Sequence, residues 1–254
     1  MHRIKPEERK HQDYLRQRTL KVSRAYEARL CKLRAREVQR VLRLCKDVEN
    51  EAQWAGIIEN NIQETYLPRW IHGLFLDCGV PTAKSTSRDM RKSKADADDL
   101  WLRELDAYAT ERAGQDIVSV TGTLKETLID VLQEEMSEEL GIGVEKLTKN
   151  IFAKYQTLAK WQVRRIAQTE SMIAMADAAH VAAQTLDVGY TKQWCISGLG
   201  NTRESHYVMD GVEVDENEPF YLENGVLMYP HDTSLNAPAN EIINCACCCI
   251  RRPK

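Results

Sequence analysis

Four cysteines crowd the C-terminal stretch: Cys245, Cys247, Cys248 and Cys249, beside Arg251 and Arg252. Cys195, His206 and His231 precede them. Thiolate sulfur and imidazole nitrogen are the ligands zinc prefers, and it takes four of them in a tetrahedron. A structural site could draw on Cys245, Cys247, His206 and one of Cys195 or His231. The C-x-C spacing is tighter than the C-x₂-C of zinc ribbons. Two other uses fit the same residues. Cys245 and Cys247 would share one face of a terminal strand and could pack there as small apolar side chains, or they could form a disulfide after cell lysis. Zinc is therefore a possible structural cofactor, and no other cofactor is expected.

A second group of polar residues precedes the cysteines. On a turn or helix start, Arg203 would pair with a carboxylate such as Glu170 or Asp210, and His206 would hydrogen-bond to backbone. With Thr202 and Asn244 these residues would form a polar network that holds a small domain together. The chemical alternative is a metal-dependent hydrolase or nuclease in which His206, Asp210, Asn244 and the cysteines activate water. No P-loop, HNH or other catalytic spacing accompanies them. The surrounding residues 185–244 carry ten acidic side chains against two basic ones, Lys192 and Arg203, which disfavours an approach to phosphates. An enzyme is not expected.

The order of these residues carries a resemblance. An Ile166-Ala167-Gln168-Thr169-Glu170 stretch is followed by Lys192 and Trp194, then Thr202, Arg203 and His206. Asp210-Gly211, Phe220, Pro230 and a closing Asn244-Cys245-Ala246-Cys247 come next. This pattern resembles the Mu protein F-like family of phage head morphogenesis proteins, also called minor capsid proteins, over roughly the last third of the chain. The family carries Arg where this chain has Gln168, Arg where it has Ala246, and an acidic residue near the Gly198–Asn201 stretch. The resemblance implies a structural component of a tailed-phage head, present in multiple copies per virion. Its implied partners are the portal protein, the major capsid protein and packaged double-stranded DNA, with a role in packaging or ejection.

Charge is divided along the chain. Residues 1–50 hold 15 Lys/Arg against 7 Asp/Glu, a local net of +8, whereas the remainder, with 20 against 31, is −11. Lys32, Arg34, Arg36, Arg40, Arg43 and Lys46 make the N-terminal segment basic, suited to DNA phosphates or an acidic portal surface. No run of about 18 apolar residues could cross a bilayer. The N-terminal segment lacks the apolar stretch of a signal peptide. Synthesis in a bacterial cytoplasm, a virion location and no membrane partner are expected.

These residues need elements to position them. With 29% charged and 7% aromatic residues, the composition suits a helical protein. The expectation is α+β: a basic long-helix arm over 1–80, a helical domain over 81–186 and a small β-rich module over 187–254. A long helix is expected from Glu7 to Tyr66, with an apolar stripe at Tyr26, Leu30, Leu33, Val41, Leu44 and Val48. A short helix should follow Pro68, and the polar stretch 81–99 reads as a loop. Helix signals resume near Asp98. Another helix is expected from Gly122, capped by Thr123 with Glu126 and ended by Gly141 and Gly143. Two more should span Val144–Leu186, with Leu147, Ile151, Tyr155 and Leu158 on the buried face. Beyond Gly189, YTKQWCIS and VEVDE read as strands and FYLENGVLMYP as a hairpin turning at Asn224-Gly225.

Overall fold

The computed structural model describes residues 4–48, 50–90, 98–138, 144–186, 188–198 and 202–254. The fold is α+β, with a long helical N-terminal region and a small C-terminal β module. Five helices come first: α1 (Pro6–Leu44), α2 (Glu51–Asn61), α3 (Leu67–Met90), α4 (Asp98–Glu138) and α5 (Val144–Gln184). The module then runs β1 (Tyr190–Cys195), α6 (Glu204–Tyr207), β2 (Glu213–Asp215), β3 (Phe220–Leu222), β4 (Gly225–Leu227), α7 (Ala239–Ile242) and β5 (Cys248–Pro253).

Several boundaries differ from the sequence expectation. The helix expected over Glu7–Tyr66 is two helices, because Asn50 starts the second one: its side chain accepts the Ala52 N–H at 2.8 Å. The indole of Trp54 then closes the junction by donating to the Val48 carbonyl at 2.7 Å. Residues 81–90 are not loop but the second half of α3, which continues past Pro81. Their hydroxyls are buried rather than solvated: Thr82, Ser85 and Ser87 lie inside beside Ala83 and Met90. The Thr82 hydroxyl returns its hydrogen bond to the Cys78 carbonyl, one turn earlier. Residues 91–97 of that expected loop lie outside the described residues. Gly122, Thr123 and Glu126 start no helix, since α4 runs through them. The expected stops at Gly141 and Gly143 are also outside the described residues. The two helices expected over Val144–Leu186 are the single helix α5.

Contacts divide the chain into two interleaved compact units, residues 25–70 with 111–166 and residues 1–24, 71–110 and 167–254. The stretches 1–80 and 81–186 each contribute to both, whereas 187–254 lies wholly in one.

In the unit of residues 25–70 and 111–166, Val38, Leu42, Trp54, Ile58, Leu128, Leu132, Ile151 and Tyr155 form the core. The buried face of α1 runs through Tyr26, Leu30, Arg34, Val38 and Val41 and on to Cys45 just past its end, so Leu44 is left exposed at its edge. Arg34 stands inside because Glu64 meets it: Nε lies 2.7 Å and Nη2 3.3 Å from the two carboxylate oxygens. Leu158 on α5 is likewise exposed, and Ala159 takes its place in the core.

The unit of residues 1–24, 71–110 and 167–254 holds the β module. Small residues of α5 (Ala174, Ala178, Ala182) let α3 approach, and a Cβ on Gly79 would stand 3.0 Å from that of Ala178. The three-stranded sheet has the order β2-β1-β5, antiparallel throughout. Strand β1 pairs Trp194 with Cys249 and Cys195 with Cys248. Successive side chains on a strand face opposite ways. Trp194 therefore packs with Ile196, Met209, Phe220, Cys245 and Cys247, while Cys195 packs with Met172, Met175, Cys248 and Ile250. The hairpin β3–β4 forms, but Leu222 pairs with Gly225, which puts the turn at Glu223-Asn224, one residue earlier than expected.

Candidate metal centre

His206 sits on α6, and its ring is buried at 1% exposure. Cys245 and Cys247 lie between α7 and β5 and are also buried. The Nδ1 of His206 is 3.4 Å from Cys245 Sγ and 3.5 Å from Cys247 Sγ. These three donor atoms lie within 4.8 Å of one another. The centre is packed by Trp194, whose ring meets His206 edge-on at 5.3 Å and Phe220 edge-on at 5.3 Å.

His231 approaches from the segment after β4. It is fully buried, and its backbone is left-handed at φ 73°, a conformation that costs a side-chain-bearing residue energy and recurs at functional sites. Its Nε2 donates to the Cys247 carbonyl at 3.1 Å. Burial works against its charged form, but Cys245 and the Cys247 carbonyl carry its pKa above the ordinary value.

The thiols are an unequal pair. The Cys247 hydrogen bond, with help from both imidazoles, holds Cys245 well below the usual thiol range. The same hydrogen bond, together with burial, pushes Cys247 up. The Cys247 N–H also points to Cys245 Sγ at 3.4 Å.

The partner of His206 was not legible as one. Its Nε2 is 2.7 Å from Glu241 Oε2 on α7, where backbone had been expected. Ser205 donates to Oε2 at 3.0 Å and the Asn224 amide to Oε1 at 3.0 Å. Burial opposes ionisation of Glu241, but the Asn224, Ser205 and His206 hydrogen bonds outweigh it and lower its pKa. The signal available in the sequence was only one acidic residue, Glu241, in the otherwise uncharged ANEII run before Asn244.

The remaining expected residues are distributed around this centre. Cys195 is not part of it: strand alternation turns its sulfur to the opposite face, where the Cys248 thiol donates to the Cys195 carbonyl at 3.6 Å and Arg16 reaches Cys248 Sγ at 3.5 Å. Arg203 does not pair with Glu170 or Asp210 but donates to the Ile243 carbonyl, steadying the turn before Asn244. Asp210 instead accepts from Arg9 at 2.8 Å and from the Ile196 N–H at 3.0 Å. Asn244, at φ 56°, donates its N–H to the Thr169 hydroxyl at 3.2 Å. Glu170 is buried beside it on α5, and Thr202 is half-buried. Lys192 is buried too; it donates to the Glu216 carbonyl at 3.0 Å, and burial pulls its pKa down to about 8.

Of the basic residues expected to meet DNA or a portal, Lys32, Arg36, Arg40, Arg43 and Lys46 are exposed. Arg40 is shared with Glu37 at 3.0 Å. Arg34 is the correction, since its guanidinium is 1% exposed against Glu64 and cannot meet a phosphate. No described helix is long and apolar enough to cross a membrane. No protein-family model, curated protein or solved structure matches the chain.

Proposed function

We propose that this chain is a structural head component of a tailed bacteriophage, similar to the Mu protein F-like minor capsid proteins. It acts at the portal or capsid interior, in several copies per virion, and serves head assembly and the packaging or ejection of DNA. One observation carries the reading: several residues of the motif, far apart in sequence, meet in one buried centre. Trp194, Phe220, Cys245 and Cys247 share a core cluster, His206 touches both cysteines, and Thr169 holds Asn244. A motif of this kind specifies a folding unit rather than a reaction site. His206 and Glu241 are enclosed, and Asp210, needed by a hydrolase, is spent on Arg9 and the Ile196 N–H. The exposed cations of α1 offer a phosphate- or carboxylate-binding surface.

The test is proteomic. Mass spectrometry of purified virions from an induced lysate should recover this chain together with the portal protein, and cross-linking should join the two. Virions that lack the chain would remove the proposal. A plasmid-nicking assay with added divalent metals should show no difference between wild type and His206→Ala.

A further inference from the structure

We propose that His206, His231, Cys245 and Cys247 form a closed N₂S₂ site for one structural zinc ion. The inference goes beyond the head-protein reading and does not depend on where the protein acts.

Geometry comes first. Zinc holds sulfur at about 2.3 Å and nitrogen at about 2.0–2.1 Å, so two ligands at the tetrahedral angle stand about 3.6 Å apart. The His206 Nδ1 to Cys245 and Cys247 Sγ distances are 3.4 and 3.5 Å. Two of the three separations are therefore already those of ligands around one ion, and the two sulfurs lie no more than 4.8 Å apart.

Tautomers come second. A ligating imidazole normally gives its other N–H to a carboxylate or a carbonyl. His206 gives Nε2 to Glu241, and His231 gives Nε2 to the Cys247 carbonyl. Each Nδ1 is left with a lone pair. That of His231 is buried with no hydrogen-bond partner, while its ring interacts with Cys245. A buried polar atom without a partner is uncommon and needs a reason. A shared ion supplies one and makes His231, rather than Cys195, the fourth ligand; its nitrogen stands outside the 4.8 Å group that His206, Cys245 and Cys247 already form and draws in when the ion binds.

Donors to sulfur come third. The indole N–H of Trp194 is buried without an ordinary partner in the core cluster that holds Cys245 and Cys247. The Cys247 N–H points to Cys245 Sγ. An N–H aimed at sulfur is best matched by a thiolate, and metal binding deprotonates both thiols. With four protein ligands inside the fold, no position remains for a reacting water, so the ion would be structural rather than catalytic. It would tie α6, the segment after β4 and the entry to β5 together in a module whose strands are three or six residues long.

The full chain, purified without chelator, should carry zinc at about one ion per chain by elemental analysis. After chelation, titration with Co(II) should give the intense visible d–d bands of a tetrahedral site and sulfur-to-cobalt charge transfer. His231→Ala should lose that spectrum, whereas Cys195→Ala should keep it. Glu241→Gln should bind zinc about 10- to 100-fold more weakly, as loss of an orienting partner does. Wild-type protein that is isolated without zinc and gives no tetrahedral Co(II) bands overturns the proposal. So does a Cys195→Ala variant that loses the bands, or an intact mass showing Cys245 joined to Cys247 as a disulfide. The wild-type titration decides the matter even where a variant does not fold.

Discussion

Glu241 Oε2 stands 2.7 Å from His206 Nε2, with both side chains withdrawn from solvent. This pair links α6 to α7, two helices of four residues, together with the Ser205–Glu241 and Arg203–Ile243 hydrogen bonds. Glu241→Ala leaves the Asn224, Ser205 and His206 donors without their acceptor. A loss of about 2–3 kcal/mol follows, because buried donors stripped of a charged acceptor bear their full desolvation cost. Urea unfolding measures it. A change below about 0.5 kcal/mol, the scale of an ordinary surface substitution, would show that the carboxylate carries no structural load.

Arg34 and Glu64 form a two-pronged ion pair at 1% and 0% side-chain exposure. Truncating Arg34 to Ala strands a buried carboxylate, and the expected loss is about 3–5 kcal/mol. Arg34→Met combined with Glu64→Gln should be less damaging than Arg34→Ala, since together the two changes leave no buried charge behind. A double-mutant cycle by chemical denaturation tests this, and strictly additive losses would refute it. Because the pair is enclosed, removing Arg34 should not change the salt dependence of any DNA binding, whereas removing Arg36 and Arg43 should.

His180 stacks on Tyr229 with ring centroids 4.5 Å apart. Burial lowers its pKa from 6.5 to about 3, with Arg251 and Lys192 adding to the effect. The unfolded chain therefore takes up a proton at His180 that the folded one refuses, and stability falls as pH drops below about 6.5 towards 3. From about pH 8 to pH 5 this single group should cost about 2 kcal/mol. His180→Phe keeps the ring contact and removes the proton. The variant's stability, followed by denaturant melts across that range, should decline less than the wild type's; parallel curves would contradict the assignment.

Two glycines predict opposite outcomes for the same change. A Cβ on Gly79 would stand 3.0 Å from Ala178 Cβ and 3.3 Å from the Ala174 carbonyl oxygen. Gly79→Ala should therefore cost about 1–3 kcal/mol through overpacking. Gly56, inside α2, has nothing within 4 Å of that position. Gly56→Ala should add about 0.5–1 kcal/mol by favouring the helix. Thermal melts of the two variants should shift in opposite directions.

Patterns with a period were legible in the sequence. The start of α4 at Asp98, the strands at YTKQWC and VEVDE and the hairpin follow from helix signals, alternation and turn residues. What depended on a distant partner was not. Ser85 reads as a loop residue until His11 is found 2.8 Å away. Arg34 reads as a surface cation until Glu64 arrives to meet it. Thr123 with Glu126 is a sound capping pattern, but α4 is already helical before it. His206, Cys245 and Cys247 are grouped by the sequence as candidate ligands and do meet in the fold, whereas Cys195 is turned to the other face by the alternation of β1. Glu241 escaped notice because a carboxylate beside apolar residues usually marks solvent.

The sheet order β2-β1-β5 sets a timetable for the newborn chain. Residues 25–70 and 111–166 are complete before β1 has been synthesised, so their unit can settle early. Strand β1 finds β2 soon afterwards, but its other edge stays open until β5 emerges. Glu8, made almost at once, waits 244 residues for Arg252, which it grips at 2.7 Å. Such distant pairings are slow to close, and an unpaired strand edge is a place where nascent chains stick to one another. The β module is therefore the part of this protein that closes last, and its open strand edge is exposed longest during synthesis.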